Sequence, residues 1–548
     1  MGHIGKQGIF LLPIIAILAS CGGTGGSTPG FTTSVESSGS RSSGTQKTLD
    51  DIQILDLSSG STTVSADDPD ADYLLVVNST EQTGDDDTIR LVSGGVAALT
   101  TESAALEIGE SDPVGSPSEA VDAPETPAEI FHDYLRAYEN RFTESGEFAP
   151  AASLLSTQAA LDLGPAPVVG DTRDFNVIST MNSLTTFAEV SGELRFASDD
   201  LYVFVDEANR DQISDDEIAA LAHNFQDVAL PKERALFGHE SDINLDGHIT
   251  ILMTCTVNRM ATSGGIVTGF FFPGDMYQRS SLNPASNAQE IFYTLVPDPD
   301  GTCGTKVTAD FAVNQILPGV LAHEYQHMDS FQQHVFKNKG STEEPWLNEC
   351  LSHFTEDITG FGHENPSRVK LFLSSPSKTG VISAGMPTLA ERGACYTFLR
   401  YLYEQSPDGD AFISNLYKSP LTGVANLQAA WNGTDADFDE FPEFVSRWSL
   451  ALSLSETGAT SDPRYNYQER STSAETGNIT GLCIRCDAQD GRGTVLAGPV
   501  TTTVASYPSV NVLKGTATQF FRLDTPASAL TISGTGNEKL AGALIRLK

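Results

Sequence analysis

The stretch Leu321–His334 reads LAHEYQHMDSFQQH. It puts three histidines and a glutamate on what should be one helix, and His323-Glu324-Tyr325-Gln326-His327 is HExxH. Residues four apart lie one above the other on a helix, so His323 and His327 can hold one Zn²⁺ with Glu324 beside them. On a helical wheel Leu317, Val320, Leu321, Met328, Phe331 and Val335 form an apolar stripe. Glu324 falls within that stripe, where a carboxylate is costly unless it has a partner such as a metal-activated water. The plainer alternative is a polar helix with satisfied histidines. His334 shares the histidine face but lies about 10 Å further along the axis, too far to join the same ion. It reads as a surface residue or an outer neighbour of the site.

Two histidines need a third protein ligand. The segment EEPWLNECLSHFTEDITG, residues 343–360, opens a helix at Pro345 and closes it at Gly360. Leu347, Leu351, Phe354 and Ile358 make its apolar stripe. Glu349, His353 and Glu356 fall on roughly the opposite face, either as candidate ligands or as a solvated polar face.

HExxH followed by Asn348-Glu349 on a second helix resembles the gluzincin peptidases, thermolysin-like enzymes among them. WLNE also looks like the third-ligand motif of alanyl-type aminopeptidases. The chain is most similar to the hyicolysin-type neutral metallopeptidases, through LAHEYQHM, WLNECLSHFTEDITG, RGACYTFLRYLYEQ and FGHESDINLDGHITILMT, over about 165–455. The resemblance implies an α+β, thermolysin-like zincin domain, with a β-sheet subdomain and a helical subdomain, flanked by small β domains. It implies Glu349 as the third zinc ligand and Glu324 as the base. There are departures. Where thermolysin-like enzymes have Asp four residues after the glutamate ligand, this chain has His353, so Glu356 one turn on becomes a candidate to hold a zinc histidine. Cys350 stands where the motif usually has Gly. No motif locates the transition-state donor; Tyr396 is a candidate for it or a packing residue. The aminopeptidase signature Gly-x-Met-Glu-Asn is missing, which favours an endopeptidase acting on proteins or peptides.

The N-terminus reads MGHIGKQGIFLLPIIAILASCGG. A lysine precedes a short apolar run that ends in small residues, as in a secretory leader. Leu18-Ala19-Ser20-Cys21 resembles the lipobox of bacterial lipoproteins, which implies cleavage before Cys21 and a lipid on it. The expected location is therefore the cell envelope, exported and lipid-anchored, with the membrane touched only through the anchor. The formal net charge is −40 over 548 residues, which repels nucleic acid and anionic lipid. A monomer is expected. A non-catalytic binding or adhesion lipoprotein on a peptidase fold is the rival reading, and the intact Glu324 speaks against it.

The pattern divides the chain into a leader (1–20), a Gly/Ser/Thr tether (21–48), an N-terminal β domain (49–112), a Pro/acidic linker (113–127), the metallopeptidase domain (128–460) and a C-terminal β domain (461–548). In DINLDGHI, Asp242, Asn244, Asp246 and Gly247 occupy positions 1, 3, 5 and 6 of a calcium-type loop, but position 12 is Met253. Structural Ca²⁺ and an Asx-rich turn both remain open. Without Cys21, six of the seven cysteines remain, and an exported chain favours disulfides. Cys350 and Cys395 sit on helices expected to pack together. Elimination then pairs Cys255 with Cys303, and Cys483 with Cys486, one of 15 connectivities.

Overall fold

The computed structural model describes residues 52–57, 60–64, 71–93, 127–144, 146–151, 165–260, 266–486, 493–504, 506–523, 529–534 and 539–547. The leader, Cys21, the tether and the linker residues 113–126 lie outside them.

Four strands come first: β1 (Ile52–Leu55), β2 (Ser61–Val64), β3 (Tyr73–Ser79) and β4 (Asp87–Ser93). Six more form the central sheet: β5 (Thr172–Ile178), β6 (Phe187–Ala197), β7 (Leu201–Asp206), β8 (Ile249–Met253), β9 (Gly269–Phe271) and β10 (Ile291–Thr294). A two-stranded ribbon, β11 (Arg470–Thr472) and β12 (Ile479–Gly481), precedes β13 (Thr502–Val504), β14 (Ser509–Leu513), β15 (Thr518–Leu523), β16 (Leu530–Ser533) and β17 (Leu540–Arg546). Helices fill most of 309–454, so the chain is α+β.

The expectation of two separate terminal β domains is corrected. The first four and last five strands interleave as one sandwich, in sheets ordered β1-β17-β3-β15-β13 and β14-β4-β16-β2. The reason lies in β3, YLLVVNS, which is buried along its whole length. Its side chains alternate, as the two-residue period of a strand requires. Tyr73, Leu75 and Val77 face the sandwich core, while Leu74 and Val76 join the core of the helical layer. A strand buried on both faces needs partners on both edges, and β15 and β17 supply them from the far end of the chain. Removing residues 1–126 should therefore abolish soluble folded protein rather than trim a dispensable segment. Soluble yield and thermal melting test this, and a truncated chain melting like the whole would refute it.

The six-stranded sheet runs β5-β6-β7-β8-β10-β9, with β9 at its edge. Helix Leu317–Phe331 packs across β9 in close contact. A Cβ on Gly269 would sit 2.6 Å from Val320 Cγ1 and 2.9 Å from Tyr293 O, so only glycine permits this approach. Helix Pro345–Thr359 lies on the other side of Leu317–Phe331. It ends at Gly360 in the left-handed region (φ 84°), which spares a side chain the steric cost of that cap. Helix Leu389–Gln405 packs behind it. The cysteines pair as Cys255–Cys303, Cys350–Cys395 and Cys483–Cys486, at Cα separations of 5.4, 5.2 and 5.7 Å. The second of these staples helix Pro345–Thr359 to helix Leu389–Gln405. Among the described residues no helix is long and apolar enough to cross a membrane.

Candidate metal centre

Helix Leu317–Phe331 is sandwiched between sheet and helices, and nearly all its residues are buried. His323 and His327 project from it toward Glu349 on helix Pro345–Thr359. Their Nε2 atoms lie 3.1 Å apart, and each lies 3.5 Å from a different oxygen of Glu349. The outer ring nitrogens are committed elsewhere. His323 Nδ1 is 2.8 Å from Glu356 Oε1, and His327 Nδ1 is 3.2 Å from Asn348 Oδ1. Both partners are acceptors, which places the ring protons on Nδ1 and leaves a lone pair on each Nε2.

Two lone pairs and a carboxylate converging within these distances repel each other unless a cation lies among them. Tetrahedral zinc with bonds of about 2.0–2.2 Å requires donor atoms roughly 3.3–3.5 Å apart. Both histidine–glutamate spacings, at 3.5 Å, match that range, the Nε2–Nε2 separation of 3.1 Å is slightly shorter, and the donor set suits that ion. Glu349 is wholly buried, and neither of its oxygens accepts a well-formed hydrogen bond. Burial pushes its pKa upward, but Arg392 and the two histidines outweigh that and hold it ionised. Burial disfavours charge on His323, yet Glu356, Glu349 and Glu324 together raise its pKa, so the carboxylates around the ring favour a cation at its Nε2, whether a proton or a metal ion. Burial and Arg136 hold His327 neutral, with its pKa down to about 3.

His353 offers another nitrogen. Its ligand atom and those of His323 and Glu349 lie within 4.8 Å of one another. Its Nδ1 is 2.9 Å from the same Glu356 Oε1, and its Nε2 is buried without a hydrogen-bond partner. His327 completes the ligand set better, because its Nε2 is close to both other donors and its ring is aimed by Asn348. Glu356 thus orients two imidazoles from one oxygen.

Glu324 is 3% exposed, and the Phe271 N–H of edge strand β9 donates to its Oε2 at 2.8 Å. Burial raises its pKa, which suits a base that must also give a proton back. His323, Glu324 and Arg392 border a cavity of about 460 Å³ whose wall includes the apolar Ile316, Val320 and Phe361.

Two candidates fall elsewhere. Tyr396 is buried and hydrogen-bonded to Asp357, away from the cavity, so it is a packing residue and not a donor to substrate. His334 is not at the surface. The chain passes into a π-helical turn, Gln332–Lys337, after Phe331. That turn breaks the wheel on which the sequence reading relied, and His334 ends buried with Nε2 3.8 Å from Glu343 Oε2. Asp242, Asn244 and Asp246 form a loop closed by its own bonds. The Gly247 N–H donates to Asp242 Oδ1 at 3.1 Å, and Asn244 Nδ2 donates to Asp246 Oδ2 at 2.8 Å.

Sequence reasoning missed three basic residues. Arg392 Nη1 lies 2.8 Å from Glu349 Oε2. Helix Pro127–Glu144 adds His132 and Arg136, which act electrostatically on the ligand set. The available signal was His132, Arg136 and Glu139 at i, i+4 and i+7, a polar stripe on a helix whose Phe131 and Leu135 are core.

No protein-family model matches the chain. Among curated proteins it is similar to the neutral metalloprotease ShpI of Staphylococcus hyicus, 25% identical over 295 residues. The match covers 53% of this chain and 64% of that protein, so it spans just under two thirds of the relative's length.

Proposed function

We propose that this chain is a zinc-dependent endopeptidase that hydrolyses protein substrates at the cell envelope. The observation that carries the reading is the convergence of His323 Nε2, His327 Nε2 and Glu349 beside the buried carboxylate of Glu324. The likeness to a neutral metalloprotease supports a metal-dependent peptidase in general. We read 128–460 as the thermolysin-like unit, with the sheet and the helices meeting at helix Leu317–Phe331.

When bound at these three side chains, zinc supplies a Lewis acid and a water of lowered pKa. The chain's own residues do the rest. Glu324 takes a proton from the attacking water and passes it to the departing amine, so its charge is restored at the end of each cycle. The Phe271 N–H aims that carboxylate. Glu356 and Asn348 keep both imidazoles in one tautomer. Strand β9 lies at the edge of its sheet, where an extended peptide can add as a further strand. The envelope location rests on the leader and the lipobox-like Cys21.

The test is cleavage-site profiling of a denatured proteome with the purified, zinc-loaded full chain, with and without chelator. Internal cleavages that vanish with chelator are expected. Release of terminal residues alone overturns the endopeptidase reading, and no cleavage overturns the peptidase reading.

We also propose Ca²⁺ at Asp242, Asn244 and Asp246. Calcium should then raise the melting temperature by mass action, and Asp246→Ala should remove the dependence. A melting temperature indifferent to calcium in the unmodified protein leaves only the Asx turn.

A further inference from the structure

Amide hydrolysis places negative charge on the carbonyl oxygen in the transition state, and a fixed N–H aimed at that oxygen is worth far more in a buried site than in water. Helix Pro127–Glu144 contributes His132 to the wall of the cavity that Glu324 borders. Its aromatic side chains anchor it: Phe131 meets Phe270 at 5.2 Å, and Phe142 stacks on Tyr277 at 5.2 Å between ring centroids. The polar stripe of the same helix thereby faces the ligand set. Arg136 pairs with Glu139 through Nη1, keeps Nε and Nη2 without a hydrogen-bond partner, and does not border the cavity. His132 does border it, together with His323 and Glu324. Its Nδ1 is buried and has no hydrogen-bond partner, a costly arrangement for a group with no task.

Of the other basic and phenolic groups nearby, Arg368 also lines the cavity with its Nε and Nη1 lacking hydrogen-bond partners, but its charge acts on His353 and Glu356, and its nearest carboxylate is Glu364, 4.0 Å away. Arg392 is held between Glu349 and the Pro387 carbonyl, which accepts from its Nε at 3.1 Å. Tyr396 is turned to Asp357. Lys306, also on the cavity wall, is exposed. His132 is half-buried; desolvation first and then Arg392 lower its ring's pKa, against Glu349, which raises it. A neutral imidazole keeps one N–H to donate.

We propose that His132 is the transition-state donor: its ring N–H hydrogen-bonds the scissile carbonyl oxygen as that oxygen becomes anionic. No bond to His132 forms or breaks, and the proton stays on the ring throughout. The inference rests on the peptidase reading, and it adds a residue far from HExxH in sequence.

The experiment uses the zinc-loaded full chain with casein as substrate, and compares His132→Ala, His132→Phe and His132→Gln. The phenyl ring keeps the packing without a donor, and the glutamine amide restores an N–H. Loss of ~10²–10³-fold in kcat is expected for Ala and Phe, with KM within about twofold and zinc content unchanged. Gln should recover part of the loss. A phosphinic peptide that mimics the tetrahedral state should bind the Ala and Phe variants more weakly by a similar factor. Wild-type kcat in His132→Phe overturns the proposal, as does loss of zinc in step with activity, or a Gln variant no better than Phe. Should His132→Ala fail to fold, the Phe and Gln pair decides alone. If the unmodified protein does not cleave casein in a chelator-sensitive way, the peptidase reading falls instead, so the two failures are distinct.

Discussion

Glu324→Gln is expected to keep its metal and its fold and to lose casein hydrolysis by ~10²–10⁴-fold, the usual contribution of a positioned acid–base group. The substitution preserves size, and the glutamine carbonyl can still accept from the Phe271 N–H that now bonds Glu324 at 2.8 Å. None of His323, His327 or Glu349 is altered. What disappears is the proton acceptor. Because Glu324 is 3% exposed, the change also removes a buried charge, so the melting temperature should hold steady or rise. Metal content by mass spectrometry, thermal melting and hydrolysis are measured on one preparation. Wild-type turnover in this variant means that Glu324 is not the base. Loss of metal together with activity means that it is a ligand.

How much of this was readable beforehand follows the range of the interactions. The HExxH helix and the Glu349 helix were legible because their chemistry is local: ligand spacing is set by the turn of a helix, and Pro345 and Gly360 mark an element's ends. The disulfide between Cys350 and Cys395 followed once two apolar helices were expected to share a core. The sandwich was not legible. Its central strand β3 pairs with β15 and β17 across more than 400 residues, and a run such as YLLVVNS says that both faces are buried without saying by what. At His334, read from its place along the helix as a surface residue or an outer neighbour of the site, the surface alternative fails, because the side chain is buried. Beyond Phe331 the helical period changes, and no local signal announced it. Arg392 and His132 were missed for a related reason. Each reaches the site across a tertiary contact, and a lone basic residue on an amphipathic helix is usually a solvated one.

Glu349→Ala should lose both zinc and activity, and its loss should exceed that of deleting one ligand. Arg392 Nη1 lies 2.8 Å from Glu349 Oε2, and both side chains are buried. Removing the carboxylate leaves an unpaired guanidinium beside two imidazoles, so the site would repel the cation it was built to hold. Breaking a buried pair on one side costs about 3–5 kcal/mol, so this variant should also melt earlier. Glu349→Gln separates the two effects, since it keeps the shape of the side chain while withdrawing the charge. Glu356→Gln is the contrast. Its oxygen receives His323 Nδ1 and His353 Nδ1 but does not face the shared Nε2 space. Loss of its charge should weaken the hold on His323 and lower metal affinity or activity by ~10–100-fold, the scale of an outer hydrogen-bond partner. Zinc titration with a competing chelator ranks the three variants. If Glu349→Ala and Glu349→Gln retain full zinc while Glu356→Gln loses it, the third ligand is Glu356. If all three keep zinc as the unmodified protein does, His353 must stand with His323 and His327, since its Nε2 is unpartnered and its ligand atom lies within 4.8 Å of that of His323.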